Sequence, residues 1–429
     1  MRERKIGKGV LKMKRSLSLI LCLAMLLSMM AFAHADDGVT ITFYCNPSKN
    51  GGVENAVAAF EAANPGIHVE IVEFSSDTNQ KKTTLSSIFQ AQDDSADVFM
   101  MDCTWPDEFI SAGWLLPLDG LYTEEELAEF IPGIMDICFD SNGTMYAIPE
   151  YLNAGVLVYR KDLLEKYGYE PAKTWEELID QCKVIIEGEA KEGSTVSGFT
   201  SAWLEYEGLT CCAFEFMWDY GARFAADGKC TLDSAEAQAG LNIMRRMVEE
   251  GVTDAGIRGY KWADSQAIFN AGSAIYMRDW PSAYKNAINP EKSVVSDNVG
   301  VTVLPSGTAG SFTTNGGWYI AVNAFTSHAE EAKAFAKFVC GYEGQVAYSS
   351  KSGDLPTRPA TYADPTFEGT MTAQLYDIAL TTTSRPSSAY YSEISAEIYT
   401  NAALVADGAK TAEQATADMT ANIQSILDR

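Results

Sequence analysis

Between Val39 and Asp102 the chain reads β-α-β-α-β, and that order constrains the fold more than any other feature. Residues 39–44 alternate as a strand does, and Val53, Ala56, Val57 and Phe60 then recur at helical spacing until Asn64, Pro65 and Gly66 stop them. A second strand is expected over 67–74, a second helix around Leu85, Ile88 and Phe89, and a third strand at Val98–Met101. Helical crossovers join parallel neighbours and are right-handed, so the carboxyl ends of these strands converge on one edge. Ligands sit at such an edge in open α/β sheets. The third strand stops abruptly at Asp102, and Thr104, Trp105 and Pro106 follow before a short helix closed by Gly113. A carboxylate beside an indole at that edge is a binding candidate, although a capping Asp and a core Trp would read the same way.

The mixed pattern continues. Helices are expected over 124–134, 161–167, 175–187, 208–220, 235–250, 329–340, 392–403 and 411–427, with Thr174 and Glu177 forming a capping box for the third. One strand is expected up to Ile148, with a break at Pro149 and a second apolar run at residues 155–159; further strands fall at 274–277, 299–304 and 318–322. A chain leaving one sheet for another would look like this. Its 429 residues are 47% hydrophobic and 21% charged, enough apolar material for two or three packed domains.

The first 35 residues stand apart. Lys12, Lys14 and Arg15 precede an apolar run over 17–32 that ends in Ala33, His34 and Ala35, the pattern of a secretory signal peptide cleaved after Ala35. Leu19, Ile20 and Leu21 before Cys22 include no small residue, so a mature chain beginning at Asp36 without lipid is expected, outside the cytoplasm. The signal holds seven Lys or Arg and one Glu; removing that excess of six positive charges takes the net charge from −26 to −32. Such acidity argues against nucleic acid and anionic membranes as partners. The remaining cysteines show neither CxxC nor metal spacing, and histidines are scarce, so no metal and no cofactor is expected.

Nucleophile elbows, phosphate loops and dinucleotide fingerprints are absent. What recurs is an aromatic beside a polar group at a strand end or break: Asp102 with Trp105, Tyr151 with Asn153, Arg278 and Asp279 with Trp280, Gly316 and Gly317 with Trp318, Arg385 with Tyr390. Taken singly, such aromatics are usually core. Together they suit a sugar, whose C–H faces stack on rings while its hydroxyls take paired hydrogen bonds from planar polar groups.

Several segments carry a resemblance: DTNQKK, DVFMMDCTWPDEFISAGWLLPLD, YAIPEYLNAGVLVYRKDLLEKYGYEPAKTWEEL, YEGL, RDWPSAY, GVTVLP, NGGWYIAV and SRPSSAYYSEIS. Through them the mature chain resembles an extracellular solute-binding protein of a sugar ABC importer, of the maltose-binding protein family and like the trehalose/maltose-binding proteins. The resemblance implies an α/β, two-lobed periplasmic-binding-protein fold with hinge-linked open sheets. It assigns residues 36–149 and 314–344 to one lobe, and 150–313 and 345–429 to the other. It also implies ligand contacts from Glu54, Thr78, Asp102, Trp105, Tyr151, Asn153, Trp280, Gly316, Gly317, Trp318 and Arg385. The relatives have Asp where Asn153 stands, and Arg where Lys81 or Lys82 stands. The implied function is a monomeric, non-enzymic receptor that captures a di- or oligosaccharide and hands it to membrane permease subunits. The alternatives are a secreted glycosidase using Glu54 and Asp102, or the same fold holding a polyol phosphate or an acidic oligosaccharide.

Overall fold

The computed structural model describes residues 38–48, 50–75, 78–131, 133–226 and 228–429. The expected signal peptide lies outside them. The opening unit is built as its pattern dictates: Val39–Cys45 pairs in parallel with Ile67–Glu73 and with Val98–Asp102. Val98 to Met101 are wholly buried, as a strand covered on both faces must be. Later segments widen this sheet to six strands in the order Leu355–Pro356, Ile148–Leu152, Trp318–Val322, Val98–Asp102, Val39–Cys45, Ile67–Glu73. Trp318–Val322 runs antiparallel to both its neighbours. A second sheet has four strands in the order Val299–Thr302, Val156–Arg160, Ala274–Asp279, Ser197–Thr200. Phe43, Phe60, Phe99 and Phe335 lie in the core under the first sheet, and Trp175, Phe199, Trp203 and Phe216 in a core under the second. The molecule therefore has two lobes.

The chain passes between the sheets at 153–155, at 313–316 and after Pro356, and these passes lie side by side. Gly316 N donates to Asn153 O at 2.8 Å and Asn315 N to Thr383 O at 2.8 Å, while Thr313–Thr314 pairs in parallel with Thr382–Thr383. The helix Tyr342–Ser352 packs on Gly52–Ala63, with Asn55 Nδ2 donating to Ala347 O at 2.7 Å. The first sheet's side of the molecule thus reaches past residues 149 and 344, the boundaries the resemblance implied.

Several local readings change. The helix expected over 124–134 spans only Glu124–Leu127, because Ile131 N turns away to donate to Thr357 O at 2.8 Å. Pro149 does not break its strand. It sits inside Ile148–Leu152, where the register against Trp318–Val322 shifts between Trp318 and Tyr319, an irregularity that spares the ladder the missing N–H. Thr174 caps its helix by accepting from Glu177 N at 3.1 Å, but the Glu177 carboxylate reaches Lys173 N at 2.8 Å, so the expected box closes one residue early. Cys45, Cys103, Cys138, Cys182, Cys211, Cys212, Cys230 and Cys340 are all buried and free. Among the described residues no helix is long and apolar enough to cross a membrane.

Candidate functional site

The site grows from the carboxyl edge of the first sheet. Register places Trp318 directly opposite Asp102 on one side and Tyr151 on the other. Asp102 Oδ1 accepts from Thr104 N at 3.0 Å and Thr104 Oγ1 at 2.8 Å, a local turn that steers the chain into the helix Pro106–Ser111. Oδ2 accepts nothing from the described residues, which leaves half of a partly exposed carboxylate for a ligand hydroxyl.

Three of the expected stacking rings are more enclosed than a free platform would be: Trp105 is 4% exposed, Tyr151 3% and Trp318 8%. Trp105 and Trp318 meet edge to face at 5.7 Å. The Lys81 ammonium lies 4.5 Å from the Trp318 ring centroid and donates to Asn46 Oδ1 at 2.6 Å, and Asn46 Nδ2 donates to the Tyr151 hydroxyl at 3.0 Å. Tyr151 in turn stacks on Tyr348 at 5.6 Å. Lys81 and Asn46 thereby tie two candidate ligand rings into one wall. Glu54, on the first turn of Gly52–Ala63, and Thr78, opening Thr78–Gln90, are exposed on the same lobe; Ser48 Oγ donates to Glu54 Oε2.

Trp280 comes from the other lobe. It follows the strand Ala274–Asp279, is half-buried, and lies against Gly316, where an added Cβ would come within 2.9 and 3.0 Å of its ring atoms. Only glycine permits that approach. Gly317 is equally constrained, since a Cβ there would meet Tyr151 O at 2.5 Å. Half-buried Asn153 faces the same junction, its carbonyl taken by Gly316 N and its side chain bonded to none of the described residues. Beneath Trp280 the Arg278 guanidinium sits 4.2 Å from the ring centroid. Arg278 Nε donates to Glu215 Oε2 at 2.7 Å, and Nη2 donates to Glu215 Oε1 and, at 3.1 Å, to Thr314 Oγ1.

Arg385, an expected ligand contact, is engaged by several groups of the protein itself. Its Nη1 donates to Glu207 Oε1, and its Nη2 donates to Cys103 Sγ at 2.9 Å and Asn315 O at 3.0 Å. The guanidinium therefore ties the second lobe to the end of the first-lobe strand and to the hinge, leaving Nε buried without a partner among the described residues. Asn46, Glu215 and Trp262 escaped the motif reading, and Lys81 entered it only as one of two positions where the relatives have Arg. A carboxylate set between Phe214 and Phe216 in the aromatic-rich helix Glu207–Asp219 was the one available signal for Glu215.

Two buried acids near the hinge carry a pH signature. Burial pushes Asp279 up to about 7 and Asp219 up to about 8, against the hydrogen bonds from Trp280 N to Asp279 and from Trp175 Nε1 to Asp219. Glu150 is raised as well, by burial first and then by Asp354. A carboxyl whose folded value is raised stabilises the fold fully below its unfolded value near 4, and that contribution is lost as pH rises through the folded value. The melting temperature is therefore expected to be higher at pH 5.5 than at pH 8.5, with each acid contributing about 1.4 kcal/mol per pH unit within its window. Asp219→Asn should flatten the upper part of the slope. A melting temperature that rises from pH 5.5 to 8.5 would contradict the assignment.

Among the described residues no group of three or more His, Cys, Asp or Glu could hold a metal ion. Comparison with known proteins places these features in context. Residues 46–346 match the family model described as bacterial extracellular solute-binding protein. A probable ABC transporter-binding protein of Deinococcus radiodurans is 30% identical over 370 residues, covering 83% of this chain and 86% of its own. The maltose-bound MalE3 structure of T. maritima superposes with a TM-score of 0.77 at 32% identity, covering 91% of this chain and 100% of that one. An ABC transporter solute-binding protein of Agrobacterium vitis S4 with bound D-mannitol has the same fold, with a TM-score of 0.64 at 21% identity over 91% of this chain and 99% of that one.

Proposed function

The chain belongs to the bacterial extracellular solute-binding protein family, and from that premise we propose that it captures a di- or oligosaccharide between its lobes and delivers it to an ABC importer. The family and its relatives are substrate-binding proteins of ABC transporters and not enzymes, which removes the glycosidase alternative. One observation carries the sugar reading: Asp102, with a carboxylate oxygen that no described residue engages, shares a sheet edge with Trp318 and Tyr151, while Trp280 from the other lobe lies against Gly316 in the hinge. That pairing of a charged acceptor with an indole face is what a pyranose needs. Asp102, Asn153 and Trp280 are the proposed direct contacts. Trp105, Tyr151 and Trp318 form the wall behind them and present edges, and Gly316 and Gly317 allow the close approach. Glu54 and Thr78 line the first-lobe rim, and Arg385 joins the lobes. A ligand touching both lobes stabilises their closed arrangement by its differential affinity, and the closed arrangement is what a permease would recognise.

The D-mannitol held by the Agrobacterium vitis protein makes a polyol the natural competitor. A thermal-shift screen of glucose, trehalose, maltose, maltotriose and mannitol, with chromatography of the recovered ligand, separates the readings. Stabilisation by a di- or trisaccharide recovered intact is expected. Stabilisation by mannitol alone favours the polyol, and release of shorter sugars contradicts a binding protein.

A further inference from the structure

We propose that Trp262 is a second stacking surface of the site, set at an angle to Trp280, so that the site takes a saccharide of at least two rings. This rests on the sugar-binding reading above and names a residue that would set its preference for two or more rings. Trp262 opens the helix Trp262–Asn270, and its ring centroid lies 5.3 Å from that of Trp280 with the planes 63° apart. The Arg278 guanidinium serves both rings, at 4.7 Å from the Trp262 centroid and 4.2 Å from the Trp280 centroid. A cation against an indole fixes the ring by electrostatic attraction to its π face. Arg278 is itself fixed, being 2% exposed and held by Glu215 and Thr314. Both indoles are thus immobilised from beneath, in a site where a mobile ring would cost ordering entropy on binding.

Exposure points the same way. Trp262 and Trp280 are half-buried, whereas Trp105, Tyr151 and Trp318 are buried. Of these five rings, only Trp262 and Trp280 keep a sizeable accessible surface. A single pyranose offers one C–H face to one ring at a time. Two indole surfaces meeting at 63° instead match two successive rings of a bent glycosidic chain. A monosaccharide or a linear polyol would engage one wall and leave the other unused.

The test is calorimetric titration of wild type, Trp262→Leu and Trp262→Phe with glucose, mannitol, maltose and maltotriose, beside melting curves. Leucine keeps apolar bulk against the helix and removes the ring face. Trp262→Leu should weaken maltose or maltotriose about three- to tenfold, with glucose and mannitol changed less, and Trp262→Phe should recover most of the loss. Unchanged di- and trisaccharide affinity, or an equal loss for every ligand, overturns the proposal. Wild type binding glucose or mannitol as tightly as maltotriose also overturns it, while leaving the receptor reading intact. Wild type binding none of the four overturns the sugar reading itself. Should Trp262→Leu not fold, the indole emission change on adding maltotriose is compared in wild type and Trp262→Phe. A smaller change in the variant supports the proposal, and an identical one counts against it.

Discussion

Arg278→Met is expected to destabilise the protein by about 3–5 kcal/mol, the largest effect of any single change proposed for this molecule. The substitution strands a carboxylate: Glu215 is 2% exposed and would lose the guanidinium that faces both its oxygens. Three donors would remain, Thr313 Oγ1 at 3.0 Å, Thr314 N at 2.9 Å and Thr314 Oγ1 at 2.8 Å, all on Glu215 Oε1. They bond one oxygen and leave the other without a partner. Removing one member of a buried pair costs far more than removing both, because the survivor keeps its desolvation penalty. Arg278→Met with Glu215→Gln should therefore lose less than Arg278→Met alone, since the neutral amide can still accept from Thr314. Space forbids an easy repair, because a Cβ at Gly155 would already fall 2.4 Å from Thr313 Oγ1 and 2.5 Å from Arg278 Nη2. Denaturant titration of the single and double variants measures this directly. A single-variant loss below about 1 kcal/mol, the range of an exposed pair, would show that the cluster is not the staple of the hinge.

Asp102→Asn is expected to weaken sugar binding roughly ten- to over a hundredfold while leaving the melting temperature within a few degrees of wild type. The amide oxygen can still accept from Thr104 N and Thr104 Oγ1, so the turn into Pro106–Ser111 survives. What disappears is the charge on the outward half of the group. A hydrogen bond to a charged partner contributes about 1.5–3 kcal/mol, which sets the range. Calorimetry with the best sugar from the thermal-shift screen gives the number. An affinity within threefold of wild type would remove Asp102 from the ligand contacts.

These two residues also mark how far the sequence carries. Asp102 was legible because it ends a strand buried on both faces, and a carboxylate that closes so apolar a run must sit where the strand reaches solvent. The parallel β-α-β-α-β unit was legible for the same local reason, since period and punctuation agree. Arg278 was visible only as a neighbour of Trp280. Its partner Glu215 lies 63 residues away, a pairing that no local period encodes. The short strands Leu355–Pro356 and Thr382–Thr383 exist through partners elsewhere in the chain, and two residues carry no periodicity. Pro149 misled because a proline usually ends a strand, whereas here a register shift on the partner strand accommodates it. The aromatic–polar pattern located the junction of the lobes but could not rank its rings. Trp105 and Trp318 satisfy the pattern as well as Trp280 does, yet they pack edge to face in the first core and only Trp280 stays half-exposed.

Small-angle scattering of the protein with and without its tightest sugar tests the receptor reading most directly. Two lobes joined by passes at 153–155, 313–316 and after Pro356 should close on a ligand held between them, so the radius of gyration should fall on adding saturating sugar and return when the sugar is dialysed away. An unchanged radius of gyration at a sugar concentration where calorimetry shows full occupancy would contradict capture between the lobes.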